Sequence, residues 1–557
     1  MRVLLHNPAV DFDKQFGTLE DFYTPIPSLG LAYIGSVLRD AGFEVDGLDS
    51  FMACHTVDEM IAEIRRRRPD VLGISLLTPA APLVDRVLAQ LRREMPDLVV
   101  VLGNIHASVF DRYYLSRRLA DFVVHHEGEA TMRELMEAIR DDQPVERVAG
   151  ISYVAVDGDV IRTPKREWIA RQDLDAMPYP AWDLFPVGQF KPDIRLIGGS
   201  TMNRAAQVQA LPILASRGCP HACTFCSPVN TIGRRYFMRS PKNVVDEMEF
   251  WYRKWGTTTF YYMDLTFPLT EKLGIEFCEE LIARKLPIQW GSETRVSSVT
   301  LPLLHKMKEA GCMRVDYGIV CGNQKMLDLI KKNFTIEQVC NAAKWTRAAG
   351  IESEGLFIIG LPGETAQDTR DTIEFALDLD LDHVKLNIFV PYPGSELYDQ
   401  LAARGELSTF NFDEYTSFPT YNAGALAYVP EGRTADELLA FQRSGMRRAM
   451  FRRRVILREL RHFKFDKVGQ YFSAVRALLV PGGTKKGSAD TTVDRFEVPQ
   501  QFGHRTLADN IEAERAARHP DAEVTRPRAR AVRRVVPLIP VGDAVPTSAD
   551  RARSSVN

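Results

Sequence analysis

The chain has 557 residues, 45% of them hydrophobic and 26% charged, which is enough for two or three domains with ordinary cores. A formal net charge of -3 and a pI near 6.5 give no overall pull toward nucleic acid or an anionic membrane. No run of apolar residues is long enough to span a bilayer, and Met1-Arg-Val-Leu-Leu-His-Asn-Pro8 is broken by proline too soon for a signal peptide, so a soluble cytoplasmic protein is expected.

From residue 1 to about 140, short apolar runs alternate with helical patterns. Val3-Leu-Leu5 predicts a strand, Ser28 to Ala41 a helix ending at Gly42, Phe43 to Leu48 a second strand and Val57 to Arg67 a helix. Asp70 to Ser75 predicts a third strand, a helix follows near Leu83 to Arg93, and Leu98 to Leu102 and Phe122 to Val124 predict two more strands. Such alternation argues for an α/β domain, a doubly wound, flavodoxin-like parallel sheet covered on both faces. Ligands of these sheets bind beyond the carboxyl ends of the strands. Here those ends carry Asp49, Ser75-Leu-Leu-Thr78, Gly103-Asn-Ile-His106 and His126-Glu-Gly-Glu129.

Residues 141–205 read as a connector, with a small hairpin expected around Asp157-Gly158 and a proline-broken, aromatic stretch from Leu174 to Leu184. Residues 206–410 return to strands and helices. Strands are expected at Pro212–Ala215, Phe260–Met263, Ile288–Trp290, Met313–Tyr317, Gly355–Ile359 and His383–Asn387, with helices at Pro241–Lys254 and Glu337–Ala349 among them. Residues 411–480 read as helical and basic, with Arg443, Arg447, Arg448, Arg452, Arg453, Arg454, Arg458 and Arg461 interleaved with apolar positions. Such a helix suits a barrel cap with a solvated face, or peripheral contact with a membrane or an acidic substrate. Residues 481–557 are poor in large apolar residues and predict a mostly disordered tail.

The most specific feature is Arg217-Gly-Cys-Pro-His-Ala-Cys-Thr-Phe-Cys226. Thiolates at Cys219, Cys223 and Cys226, on one tight loop, can each hold one iron of a cubane cluster and leave the fourth iron open to a chelating molecule. A structural zinc site needs a fourth ligand, for which His221 is at hand, but zinc-binding pairs are usually spaced C-x2-C. Disulfides are disfavoured, since the chain has 8 cysteines in all and no secretory leader.

The C-x3-C-x2-C loop, with an aromatic before the third cysteine, resembles the signature of radical S-adenosylmethionine (SAM) enzymes. The six expected strands after it fit that family's partial (β/α)6 TIM-like barrel. The earlier segments Pro27 to Tyr33, Val71 to Ser75, Gly103-x-x-His106 and Glu127-Gly-Glu129 resemble the cobalamin-binding domain fused to many of these enzymes. The resemblance implies a 4Fe-4S cluster on Cys219, Cys223 and Cys226, with SAM on its open iron, cleaved by an electron to a deoxyadenosyl radical. It also implies a reductant such as flavodoxin or ferredoxin. Phe225, Glu293, Arg295 and Gly360, the last in a Gly360-Leu-Pro-Gly-Glu-Thr365 element, match positions that touch SAM. Cobalamin contacts are implied at Ser75, Thr78, Gly103, His106, Glu127 and Gly128. The D-x-H-x-x-G motif that supplies a lower cobalt ligand elsewhere is absent, which suggests no histidine below the cobalt.

Two departures stand out. Val320-Cys-Gly322 replaces the usual acidic residue and small pair, opening the alternatives of a lost polar SAM contact or a cysteine in the cavity. Asp264-Leu-Thr-Phe267 keeps only the first of a usual pair of aspartates. The activity implied is methylation of an unactivated carbon of a small-molecule or lipid-like substrate. The alternatives are an anaerobic cyclase or ring-rearranging enzyme of the same architecture, a radical enzyme whose first domain binds something other than cobalamin, and a cobalamin-responsive regulator without catalysis.

Overall fold

Alternating apolar runs become strands wherever both faces of the sheet are covered, and the N-terminal third follows that rule. A computed structural model describes residues 1–16, 27–187, 210–417, 419 and 425–461. The expected tail and part of the connector lie outside them. The first sheet contains β1 (Arg2–Asn7), β2 (Glu44–Asp49), β3 (Val71–Ser75), β4 (Val99–Gly103), β5 (Phe122–Val124), β6 (Ile151–Val154) and β7 (Val160–Arg162), in the order β2-β1-β3-β4-β5-β6-β7. The first five strands are parallel and the last two antiparallel. Helices start where the side chains allow it. Ser28 caps Leu29–Asp40, and Thr56 with Glu59 forms a capping box on Val57–Arg67.

The hairpin expected in the connector is present, and it extends this sheet. β6 pairs with the otherwise open edge of β5, and Arg162 grips Asp111 through two hydrogen bonds of 2.7 Å. Buried His125 and Ser152 complete that polar cluster, with His125 Nε2 2.7 Å from Ser152 Oγ.

The second sheet has the order β15-β14-β13-β12-β11-β8, all parallel, from β8 (Ala210–Ile213), β11 (Thr259–Tyr262), β12 (Gln289–Thr294), β13 (Cys312–Val320), β14 (Glu352–Ile359) and β15 (His383–Ile388). A two-residue antiparallel pair, β9 (Ser216–Arg217) and β10 (Phe237–Met238), flanks the cysteine loop. Six parallel strands with crossover helices form the expected partial barrel. β13 outruns its sequence signal and ends at Val320, where the register with β14 shifts. Val320 has φ +76°, a left-handed conformation that strains a β-branched residue.

After residue 410, the first α-helix among the described residues begins at Ala435. Residues 411–417 are irregular apart from one turn, Phe412–Glu414, which lies against Thr78–Ala80 of the first domain. Lys14 Nζ reaches Asp413 Oδ2 at 2.5 Å and Thr416 Oγ1 donates to Gln15 O at 2.9 Å, so this turn ties the two domains. The helix Ala435–Met450 packs on β15. Gln442 Nε2 donates to Leu386 O at 2.9 Å, and Leu386 N–H points at Met446 Sδ, so side chains satisfy an edge strand. Arg448 and Arg454 pair with Glu374 and Asp380, and the exposed apolar side chains here are Phe451, Ile456 and Leu457.

Candidate active site

The cysteine loop leaves β9 through Gly218, whose φ is +86°. A side chain there would run into the carbonyl oxygen of Arg235, so only glycine fits. Cys219 N donates to Gly233 O at 3.2 Å and Cys226 N to Cys223 O at 3.2 Å. The middle of the loop is clamped between two elements: Thr224 N donates to Ile330 O and Thr224 O accepts from Leu397 N. At the stem, Asp264 accepts from Ala215 N at 3.0 Å and from Ser216 Oγ. This gives the retained aspartate a structural task.

All three thiols are free, with Cys219 buried and Cys223 and Cys226 half-buried. Burial raises Cys219 and pushes the Cys226 thiol up to about 11, so a bound metal has to draw off the protons. Two cations face the loop. Arg295 Nη1 lies 3.7 Å from Cys223 Sγ, and Lys332 is buried with its ammonium 5.5 Å from the Phe225 ring and 5.6 Å from that of Phe334. Arg295 also donates to Lys332 O. Three thiols on one loop with a cationic rim fit an anionic cluster, and Phe225, Arg295 and Lys332 surround the space beside it.

Glu293 is open to water yet lies in the barrel lumen. The surrounding protein, then Asp316, push its carboxyl up to about 7. Its backbone carbonyl accepts from Phe267 N at 3.0 Å, while its carboxylate makes no hydrogen bond among the described residues and is open to a cationic ligand. Below it the lumen is strongly polar. Tyr261 Oη donates to Asp316 Oδ2 at 2.7 Å, Arg314 holds Asp316 and Glu354, and Lys385 Nζ lies 3.2 Å from Glu354 Oε1.

The other expected SAM residue, Gly360, follows the carboxyl end of β14. Gly360, φ +80°, is buried under Leu438, and Glu364 turns back to accept from Leu361 N at 2.9 Å. Thr365 and Asp368 form the capping box of the helix that follows. Cys321 is buried in the core.

In the first domain, Ser75 accepts from Asn104 Nδ2 at 3.0 Å, and Asn104 itself is left-handed at φ +76° beside Gly103. His106 and Thr78 are both buried and 3.3 Å apart. Burial alone lowers His106 to about 3, and its ring lies among Phe110, Tyr114 and Phe412. The residue that projects from this strand end is Leu77, 50% exposed. These carboxyl ends of the interior strands β3 and β4, with an outward leucine, lie where sheets of this kind hold their ligands.

Glu127 and Glu129, flanking Gly128 after β5, turn to Arg217 of the cysteine loop. Arg217 Nη1 lies 3.2 Å from Glu127 Oε1 and 3.1 Å from Glu129 Oε2. Sequence reasoning missed Arg217, Lys332 and Leu77. Arg217 abuts the cysteine signature, and Lys332 is the second of two lysines between Leu329-Ile330 and Asn333-Phe334. Neither pattern says which surface the side chain meets.

Two family descriptions match the chain: a B12 binding domain over residues 18–136 and the radical SAM superfamily over 213–376. An uncharacterised methyltransferase of Pyrococcus horikoshii is 31% identical over 392 residues, covering 70% of this chain and 82% of that protein. An anaerobic magnesium-protoporphyrin IX monomethyl ester cyclase of Rubrivivax gelatinosus is 33% identical over 396 residues, covering 70% of this chain and 68% of that protein. The radical SAM methyltransferase TsrM of Kitasatospora setae, solved with cobalamin and a 4Fe-4S cluster bound, shares the fold with a TM-score of 0.60 at 18% identity, covering 79% of this chain and 90% of its own. With the cysteine loop on a partial barrel and the parallel sheet beside it, the chain belongs to the cobalamin-binding radical SAM enzymes, which use a 4Fe-4S cluster, SAM and cobalamin.

Proposed function

We propose that the protein methylates an unactivated carbon of a small polar molecule. The observation that carries this reading is the placement of the cofactor-binding strand ends against the cysteine loop, through Glu127, Glu129 and Arg217. A methyl carrier and a radical source held side by side suit direct delivery of a methyl group to a substrate radical. When bound, the cluster with SAM supplies a hydrogen-abstracting radical, and cobalamin supplies the methyl group.

The protein's own residues bind and orient. Cys219, Cys223 and Cys226 hold the cluster, and Arg295 and Lys332 offset its negative charge. Phe225 packs beside SAM and Glu293 meets its positive charge. Ser75, Leu77, Gly103 and Asn104 line the strand ends on which cobalamin rests, while His106 and Thr78 support them from beneath. Gly360 acts at one remove, by shaping the turn at the barrel mouth. No general acid or base is needed, because the reaction demands positioning and exclusion of water. The charged lumen of Tyr261, Glu293, Arg314, Asp316, Glu354 and Lys385 favours a hydrophilic substrate over a lipid-like one. Reduction comes from a flavodoxin- or ferredoxin-like donor.

A second reading, anaerobic cyclisation, is favoured by the 33% identity to the Rubrivivax gelatinosus cyclase. The two separate by products. The reconstituted enzyme is incubated under reduction with methyl-labelled SAM and a deproteinised extract of small molecules. Methylation yields a labelled product, with S-adenosylhomocysteine and 5′-deoxyadenosine in equal amounts. Deoxyadenosine formed with an unlabelled product would refute methylation and support cyclisation.

A further inference from the structure

Two separate paths run from the short segment His126–Glu129, at the carboxyl end of β5, to the first cluster cysteine. The first is ionic. Arg217, buried and two residues before Cys219, places its guanidinium between Glu127 and Glu129 and above the Tyr33 ring, 5.7 Å from the centroid. Gly218 joins Arg217 to Cys219 in a conformation with no room for a side chain, so a shift of Arg217 is transmitted to Cys219. The second path is steric. The His126 ring packs edge-on to Trp168 at 5.0 Å, and Trp168 lies against Gly233, where an added Cβ would sit 2.7 Å from the indole. Gly233 O receives the Cys219 amide at 3.2 Å.

We propose that Arg217, held by Glu127 and Glu129, is a positioning residue that couples the two cofactor sites, so that cobalamin binds more tightly once the cluster is in place, and the cluster likewise. The segment that grips Arg217 lies at the strand end where this kind of sheet holds its ligand. Occupancy there restrains His126–Glu129, and with it Arg217, Gly218 and Cys219. Thermodynamic linkage makes the effect reciprocal. A buried ion pair is well suited to the task, because it contributes little net stability while tolerating little misplacement. The proposal is independent of which reaction the cofactors serve.

The test is a spectrophotometric titration of hydroxocobalamin into anaerobic protein with and without reconstituted cluster. Wild type, Glu129→Gln and a charge-free triple variant, Glu127→Gln/Glu129→Gln/Arg217→Met, are compared. The triple variant avoids stranding a buried charge, and circular dichroism checks its fold. In wild type the cluster is expected to tighten cobalamin binding by about tenfold, within the usual range of coupling between sites. That ratio falls toward one in both variants, and the change that cobalamin produces in the EPR spectrum of the reduced cluster disappears with it. Equal affinities in wild type with and without cluster would overturn the proposal, as would full coupling in the folded triple variant.

Discussion

Glu293 shows how one lumen carboxylate can make cofactor binding pH-dependent. Its carboxyl, open to water but ringed by the barrel lumen, is raised to about 7, first by the protein that surrounds it and then by Asp316. As pH climbs through 7 it ionises, and the attraction for cationic SAM grows. SAM affinity is therefore expected to rise between about pH 6 and 8 in wild type and to stay flat in Glu293→Gln, as equilibrium dialysis would show. The same shift has a stability consequence of opposite sense. The unfolded chain releases this proton in the ordinary carboxylate range, before the folded protein does. The contribution of Glu293 to stability therefore falls as pH rises to 7 and is constant above it. Asp264 is a second case, its carboxyl raised to about 7 by burial while it holds Ala215 N and Ser216 Oγ at the stem of the cysteine loop. Asp264→Ala leaves both donors unpaired, costing about 1–3 kcal/mol. A lower melting temperature and fewer irons retained per chain are expected, measured by calorimetry and iron assay.

At the scale of elements, the edge strand β15 is protected by side chains. Gln442 is fully buried and donates to both Leu386 O and Ser417 O at 2.9 Å. Gln442→Leu keeps the volume and strands the Leu386 carbonyl, while Ser417 O keeps the Ile388 amide at 3.1 Å, so unfolding in urea should shift by about 1–3 kcal/mol while the cysteine loop keeps its cluster. The basic region of which this helix is part reads in sequence as either a cap or a membrane contact. Its packing on β15 is a tertiary fact that amphipathic spacing cannot reveal. Strands were the most legible elements: β3, β4 and β5 lie within a residue of their apolar runs, and Val57–Arg67 spans its whole pattern because Thr56 and Glu59 cap it. The hairpin at Asp157-Gly158 was legible as a hairpin but not as part of the first sheet, since its pairing with β5 depends on Arg162 meeting Asp111, 51 residues away.

For the whole molecule, the cysteine loop and the two α/β units were readable because each is written in contiguous residues. What was hidden is how the units face each other. Glu127 reads as a strand-end ligand, and its partner Arg217 lies 90 residues on. His106 likewise reads as a cofactor neighbour, yet Phe412 from beyond the barrel helps to enclose it. His106→Phe should therefore leave the absorption spectrum of bound cobalamin unchanged, while a shifted spectrum would place the imidazole at the cobalt.

The central claim is that the cysteine loop cleaves SAM in a protein that also carries cobalamin. The most direct measurement is 5′-deoxyadenosine formation by anaerobically reconstituted protein given SAM and a strong reductant, with bound corrinoid quantified in the same sample. A control replaces Cys219, Cys223 and Cys226 by alanine. The account predicts one corrinoid per chain and deoxyadenosine formation that vanishes in the control. Deoxyadenosine that persists without the three cysteines, or wild-type protein that retains no corrinoid, would contradict it.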